Sequence, residues 1–309
     1  MTQISVTAPV GLAIATVKHV LFQTFNITKW FGMGFTAWLA AFSNNFQPGF
    51  NFGNNPVNQV SDLGDNAEQW LSESVLPWVQ SHLGVIVSIG ILLTIIILAV
   101  SLVILWINSR GQFMFLDNVV NNRGEIKEPW KRLKMQGNSY FLFSICFHLA
   151  VLAIVACIGF VLFAVALPDI TRHNFGFNAI SAIILGVTLF TVFGLTTACA
   201  LVFLHDFVVP IMVSRSCRIM VAWSLFLDLL KANTGCFVLY LLFRMVLFLA
   251  VGIITIVLCC ALCCIVMIPY LGTVLLLPLF VFKRSYSVHY LEQFGESYRL
   301  FTRDQSLAI

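Results

Sequence analysis

The chain has 309 residues, 60% of them hydrophobic and 10% charged, with a formal net charge of +4 and a mean hydropathy of +0.94. Soluble domains carry about 25% charged residues, so this composition excludes a soluble core and predicts one integral membrane domain over residues 1–309. Nine cysteines in a chain of this length, most of them inside apolar runs, exclude a disulfide scaffold and read as small hydrophobes.

The N-terminal stretch lacks a basic start before an apolar run, and Lys18 and His19 interrupt its apolar residues. No cleaved signal peptide is expected. From Val10 to Phe25, Ile14, Val17, Leu21 and Phe25 fall on one helical stripe, which predicts an amphipathic helix at the cytoplasmic interface or packed on the spans. Residues 26–42 form the weakest expected span, near the lower limit of length and with a re-entrant segment as the rival, with Lys29 and Trp30 at its start. An outer loop is expected over 43–82, without a basic residue from Ser43 to Asn66, and Trp70 and Trp78 suit a membrane interface. The run 83–107 is almost unbroken in its apolarity and is the most secure span.

Between 108 and 138 the chain carries Arg110, Arg123, Lys127, Lys131, Arg132 and Lys134. A short loop this basic is expected on the cytoplasmic side, because Lys and Arg near span ends bias orientation during insertion. Further spans are predicted at 140–167, 179–204, 236–258 and 271–282, with Pro210 bounding or kinking the fourth and a second amphipathic helix over Cys217–Lys231. Six spans with both termini inside leave every basic residue but Arg172 and Arg244 on the cytoplasmic side. The fold class is therefore all-α and polytopic, with cytoplasmic interfacial helices. A faint repeat of three hairpins, each preceded by a cytoplasmic segment, runs through this layout.

The stretches KWFGMGFTAWLA, SRGQFMFLDNVVNNRGEIKEPW, DFVVPIM and IPYLGTVLLLPLFVFKRSYSVHYLEQFG, spread over nearly the whole chain, resemble an uncharacterised family of bacterial integral membrane proteins. More loosely, a basic amphipathic segment before a hairpin is similar to the membrane domain found beside glycerophosphodiester phosphodiesterases. The resemblance implies a fold and a membrane location. It implies no activity, and no phosphodiesterase domain accompanies the spans.

Cys259, Cys260, Cys263 and Cys264 fan over roughly 140° of one helix, so they cannot by themselves enclose a tetrahedral metal. Helix packing is the favoured reading, ahead of redox chemistry. Ser285, His289 and Glu292 share a helical side, but side chains projecting in parallel make a poor relay, and a solvated cytoplasmic face is expected there. No nucleophile elbow, metalloprotease motif or phosphate loop occurs. The ionisable groups within spans are His148, Asp206 beside His205, and Arg244, and such groups are functional candidates because a charge at mid-bilayer costs at least about 2.5 kcal/mol. Asp206 and Arg244 are expected to pair between the fourth and fifth spans. The function expected is non-enzymatic, a structural, adaptor or assembly role in the cytoplasmic membrane, with transport of a small solute as the alternative. The expected partners are the lipid bilayer and either a membrane protein or a second copy, with no cofactor and no nucleic acid.

Overall fold

A computed structural model of the protein describes residues 4–23, 25–45, 76–171, 176–261, 268 and 270–301. The described residues are helical, with no strand among them. Among the described residues four segments are long and apolar enough to cross a membrane: Ser81–Val120, Lys134–Thr171, Phe177–Ser214 and Thr234–Leu258. The spans expected at 26–42 and 271–282 are not among them. Ile27–Asn45 is a 19-residue helix but too polar, and the second region breaks at Leu276 into Leu271–Leu275 and Leu277–Glu292.

The chain divides into two compact units, Phe42–Ile107 and Met1–Ala41 with Asn108–Ile309. In the first, every described residue from Ser81 to Val103 is exposed. A helix that is apolar all round satisfies its backbone internally but leaves its side chains to a nonaqueous surrounding.

In the second unit, Lys134–Thr171 and Phe177–Phe203 pack along each other as a hairpin. Asp169, near the end of the first, ties it to the start of the second. Its Oδ2 accepts the Ala179 backbone N–H at 2.8 Å and its Oδ1 accepts the Asn178 amide at 3.2 Å, so a carboxylate meets the free N–H groups at a helix start.

The loop expected over 108–138 is mostly helix. Leu76–Val120 continues to Val120, Lys127–Arg132 follows, and the next long helix begins at Lys134. The reason is pairing. Phe113, Met114, Leu116 and Val119 are buried, and the polar residues among them have protein partners in place of water. Asn108 donates to the carbonyls of Leu39 and Ala40, Arg110 reaches Asn138 at 3.0 Å and lies over the Trp130 ring, and Asn118 donates to Glu125 O at 2.9 Å. Asp117 accepts from Arg123, Arg132 and Asn121. Burial works to lower the Arg123 guanidinium, but the hydrogen bond and charge of Asp117, with the charges of Glu128 and Glu125, outweigh it and raise its pKa.

The Ile27–Asn45 helix reaches this region through glycines. A Cβ on Gly124 would stand 2.6 Å from the Lys29 carbonyl oxygen, and one on Gly111 would stand 2.7 Å from the Ala40 nitrogen. Backbone cannot yield as a side-chain tip can. Gly124→Ala is therefore expected to cost about 1 kcal/mol or more, read as a lower melting temperature of the purified protein, whereas Gly159→Ala, which meets open space, should not lower it. Equal losses at the two positions would refute the close approach.

The N-terminal helix, Ala8–Val17 continued as a π turn over Lys18–Gln23, packs against Leu277–Glu292. Its buried face is Pro9, Ala13, Thr16, Val20 and Leu21; of the expected stripe Leu21 is buried and Val17 packs on the core, while Ile14 and Phe25 are exposed. The small side chains of Ala13 and Thr16 admit the close neighbour, and the larger apolar ones face outward.

Candidate functional site

The ionisable residues singled out in the spans fall in two places. His148 is exposed on Lys134–Thr171, and its Nδ1 lies 2.6 Å from the carbonyl of Ser144 one turn earlier. It joins no cluster. Asp206 and Arg244, by contrast, form an ion pair, with Asp206 almost wholly buried and the Arg244 side chain 22% exposed.

This centre is built on an irregular helix. Phe177–Phe203 widens into a π turn over Leu204–Val208 before Val209–Ser214 begins. At its end the Val209 N–H bonds to Leu204 O, five residues back. The next bond in that register would run from residue 210 to His205 O, but proline has no N–H to give. The freed His205 carbonyl accepts instead from Arg284 Nη1 at 2.6 Å. One proline thus explains why a buried guanidinium from a distant helix is drawn to this turn. The signal was present in the sequence as His205 and Pro210 at a spacing of five.

Around the pair stand phenols. Tyr240, fully buried, donates to Asp206 Oδ2 at 2.7 Å, and its ring stacks on Tyr286 with centroids 5.7 Å apart. Tyr290 donates to Cys236 O at 2.8 Å. Phe207, from the π turn itself, stacks on Phe226 and packs at 5.1 Å on Phe237. These rings join the π turn, Ile219–Ala232, Thr234–Ala261 and Leu277–Glu292 into one core. A carboxylate that receives a guanidinium and a phenol is a held anion.

The expectation of a solvated face at Ser285, His289 and Glu292 is overturned. Ser285 is fully buried, and His289 is 5% exposed, because the N-terminal helix covers this side. The three residues do not form a relay: Ser285 Oγ has no hydrogen-bond partner, while His289 lies 3.1 Å from Glu292 Oε2 through Nδ1 and 2.9 Å from Thr16 Oγ1 through Nε2. The Thr16 hydroxyl donates to the Leu12 carbonyl at 2.9 Å, one turn back in its own helix. Glu292 Oε1 also accepts the backbone N–H groups of Leu300 and Phe301. The cluster fastens both ends of the described chain to one helix.

Of the cysteine cluster, Cys260 is a free, exposed thiol; Cys263 and Cys264, and the side chain of Cys259, lie outside the described residues. Among the described residues no group of histidine, cysteine and acidic side chains is placed to hold a metal. A small cavity of about 50 Å³ opens beside Arg244 between Thr234–Ala261 and Leu277–Glu292, lined by Tyr240, Arg244, Leu247, Phe248, Lys283 and Tyr286, among others.

The model of a family of unknown function matches residues 5–300. No curated protein matches the chain, and no solved structure does.

Proposed function

We propose that this chain, which belongs to the DUF7544 family, is a non-enzymatic multi-pass protein of the cytoplasmic membrane with a structural, adaptor or assembly role. The observation that carries this reading is the distribution of apolar surface. Large hydrophobic side chains such as Ile91, Leu98, Phe160, Ile184, Phe248 and Ile256 are exposed along the four long helices, far beyond what a soluble chain leaves to water. The buried carboxylates are engaged by groups of the protein itself, Asp117 by Arg123 and Arg132, Asp206 by Arg244 and Tyr240, which supports a holding role over a reactive one.

Sidedness follows from the basic segment. Lys29 donates to Asn122 at 2.6 Å, Ser5 and Gln293 exchange two hydrogen bonds, and Leu300 and Asp117 border the same cavity. These contacts support placing both ends of the chain on the face that carries Arg123 to Lys134, and the positive-inside bias makes that face cytoplasmic. Reporter fusions after Lys127 and after Phe301 should therefore both report the cytoplasm. An external signal from either would overturn the orientation.

Transport of a small solute is the second reading, favoured by the cavity that touches Arg244. Full-length protein in sealed liposomes separates the two. The structural role expects solute flux no greater than that of empty liposomes, together with a discrete cross-linked complex in the membrane. Gradient-driven uptake that Arg244→Leu abolishes would make the chain a transporter.

A further inference from the structure

The cavity beside Arg244 has two unlike ends. At one stand the cations Arg244 and Lys283 with the ring of Tyr286; at the other Leu247, Phe248 and Val251 line the wall. Residues 244, 247, 248 and 251 follow the 3–4–7 spacing of one helix face, so this apolar track leads away from Arg244 for about 10 Å at helical rise. Phe248 is 70% exposed, and the track is open along its side.

The positive charge at the cavity exceeds what the protein returns to it. Arg244 has Asp206 as its ion-pair partner. Lys283 has no hydrogen-bond or ion-pair partner among the described residues, and Arg284, next in the chain, meets only a carbonyl oxygen. Two cations held this close favour an anion between them, and a guanidinium with five donors keeps donors for one after engaging Asp206.

We propose that this cavity is a binding site for an anionic glycerophospholipid, with its phosphate held between Lys283 and Arg244 and an acyl chain lying along Leu247, Phe248 and Val251. A neutral lipid would leave the cations without a partner. A free phosphate would leave the apolar track unused. Basic pockets between membrane helices suit such headgroups, and from Arg244 the helix runs on to Ala261 without another charged residue. The proposal rests on the membrane placement given above.

The test uses full-length protein in nanodiscs of phosphatidylcholine containing a minority of phosphatidylglycerol, with retained lipid counted by native mass spectrometry. Wild-type protein should retain phosphatidylglycerol over phosphatidylcholine, Lys283→Glu should reduce that retention about fivefold or more, and Lys283→Arg should preserve it. Lys283 is exposed, so the melting temperature of Lys283→Glu in phosphatidylcholine alone should stay at the wild-type value; if it falls, Lys283→Gln is read in its place, with a smaller loss expected. Soluble glycerol 3-phosphate should fail to displace the lipid. The proposal is overturned by equal retention of the two lipids, by unchanged retention in the charge-altering variant, or by displacement with glycerol 3-phosphate. Alkaline carbonate extraction separates this from the membrane reading: a chain that stays in the pellet but shows no lipid preference loses only the site, and a chain released to the supernatant loses both.

Discussion

Arg244→Leu is expected to destabilise the protein by about 3–5 kcal/mol, the usual loss when one partner of a buried ion pair is removed. Asp206 would be left almost wholly buried with Tyr240 as its remaining donor, and one phenol does not replace a guanidinium. Removing the carboxylate should cost less, because Arg244 is partly exposed at the cavity and its long side chain can turn toward a polar surrounding. The double variant Asp206→Leu with Arg244→Leu should be more stable than Arg244→Leu alone, since no charge then remains unpaired. Exchanging the two residues should recover part of the loss only, because an arginine at 206 would stand near Arg284, whose guanidinium is held at the neighbouring His205 carbonyl. Thermal melting of purified protein in detergent checks the series. Equal melting of Arg244→Leu and wild type, or strict additivity in the double variant, would mean that the pair does not hold these helices together.

That pair was legible in the sequence for a physical reason. An arginine within an apolar run demands a partner, and Asp206 is the one acidic residue in the preceding span and near the same end. The long apolar runs were legible for a related reason: nothing but a nonaqueous surrounding suits Leu83–Ile107 or Cys236–Leu258. Charge-rich segments were harder, since a charged residue was read as meeting solvent. Asn108 to Val120 falls within the loop that the basic run from Arg110 to Lys134 predicts, yet Phe113, Met114, Leu116 and Val119 keep helical spacing and are buried, and the polar residues are matched by Leu39, Ala40, Asn138, Arg123 and Arg132. The same error placed His289 in water. Its covering helix begins at Ala8, and no spacing in the chain indicates which distant helix lies over which. Nor does local pattern place a π turn, although the proline that leaves its carbonyl free can be seen.

The second large effect concerns that carbonyl. Arg284→Met should cost about 1.5–3 kcal/mol, the worth of a hydrogen bond to a charged group in a buried setting, since methionine keeps most of the volume and offers no donor to His205 O. The cause lies in Pro210, and it makes the loss conditional. Pro210→Ala supplies a backbone N–H at the position from which the five-residue register would reach His205. In that background the carbonyl has an alternative partner, and Arg284→Met should cost at least 1 kcal/mol less, by an order-of-magnitude reading of one restored backbone bond. The two single variants and the double form a cycle whose coupling term isolates the shared carbonyl from the general cost of removing a buried arginine. Arg284→Lys should fall between wild type and methionine, because an ammonium can donate to one oxygen but lacks the planar fork that lies among Tyr140, Tyr240 and the turn. A loss at Arg284 that is the same with proline or alanine at 210 would show that the guanidinium is not there to complete the turn.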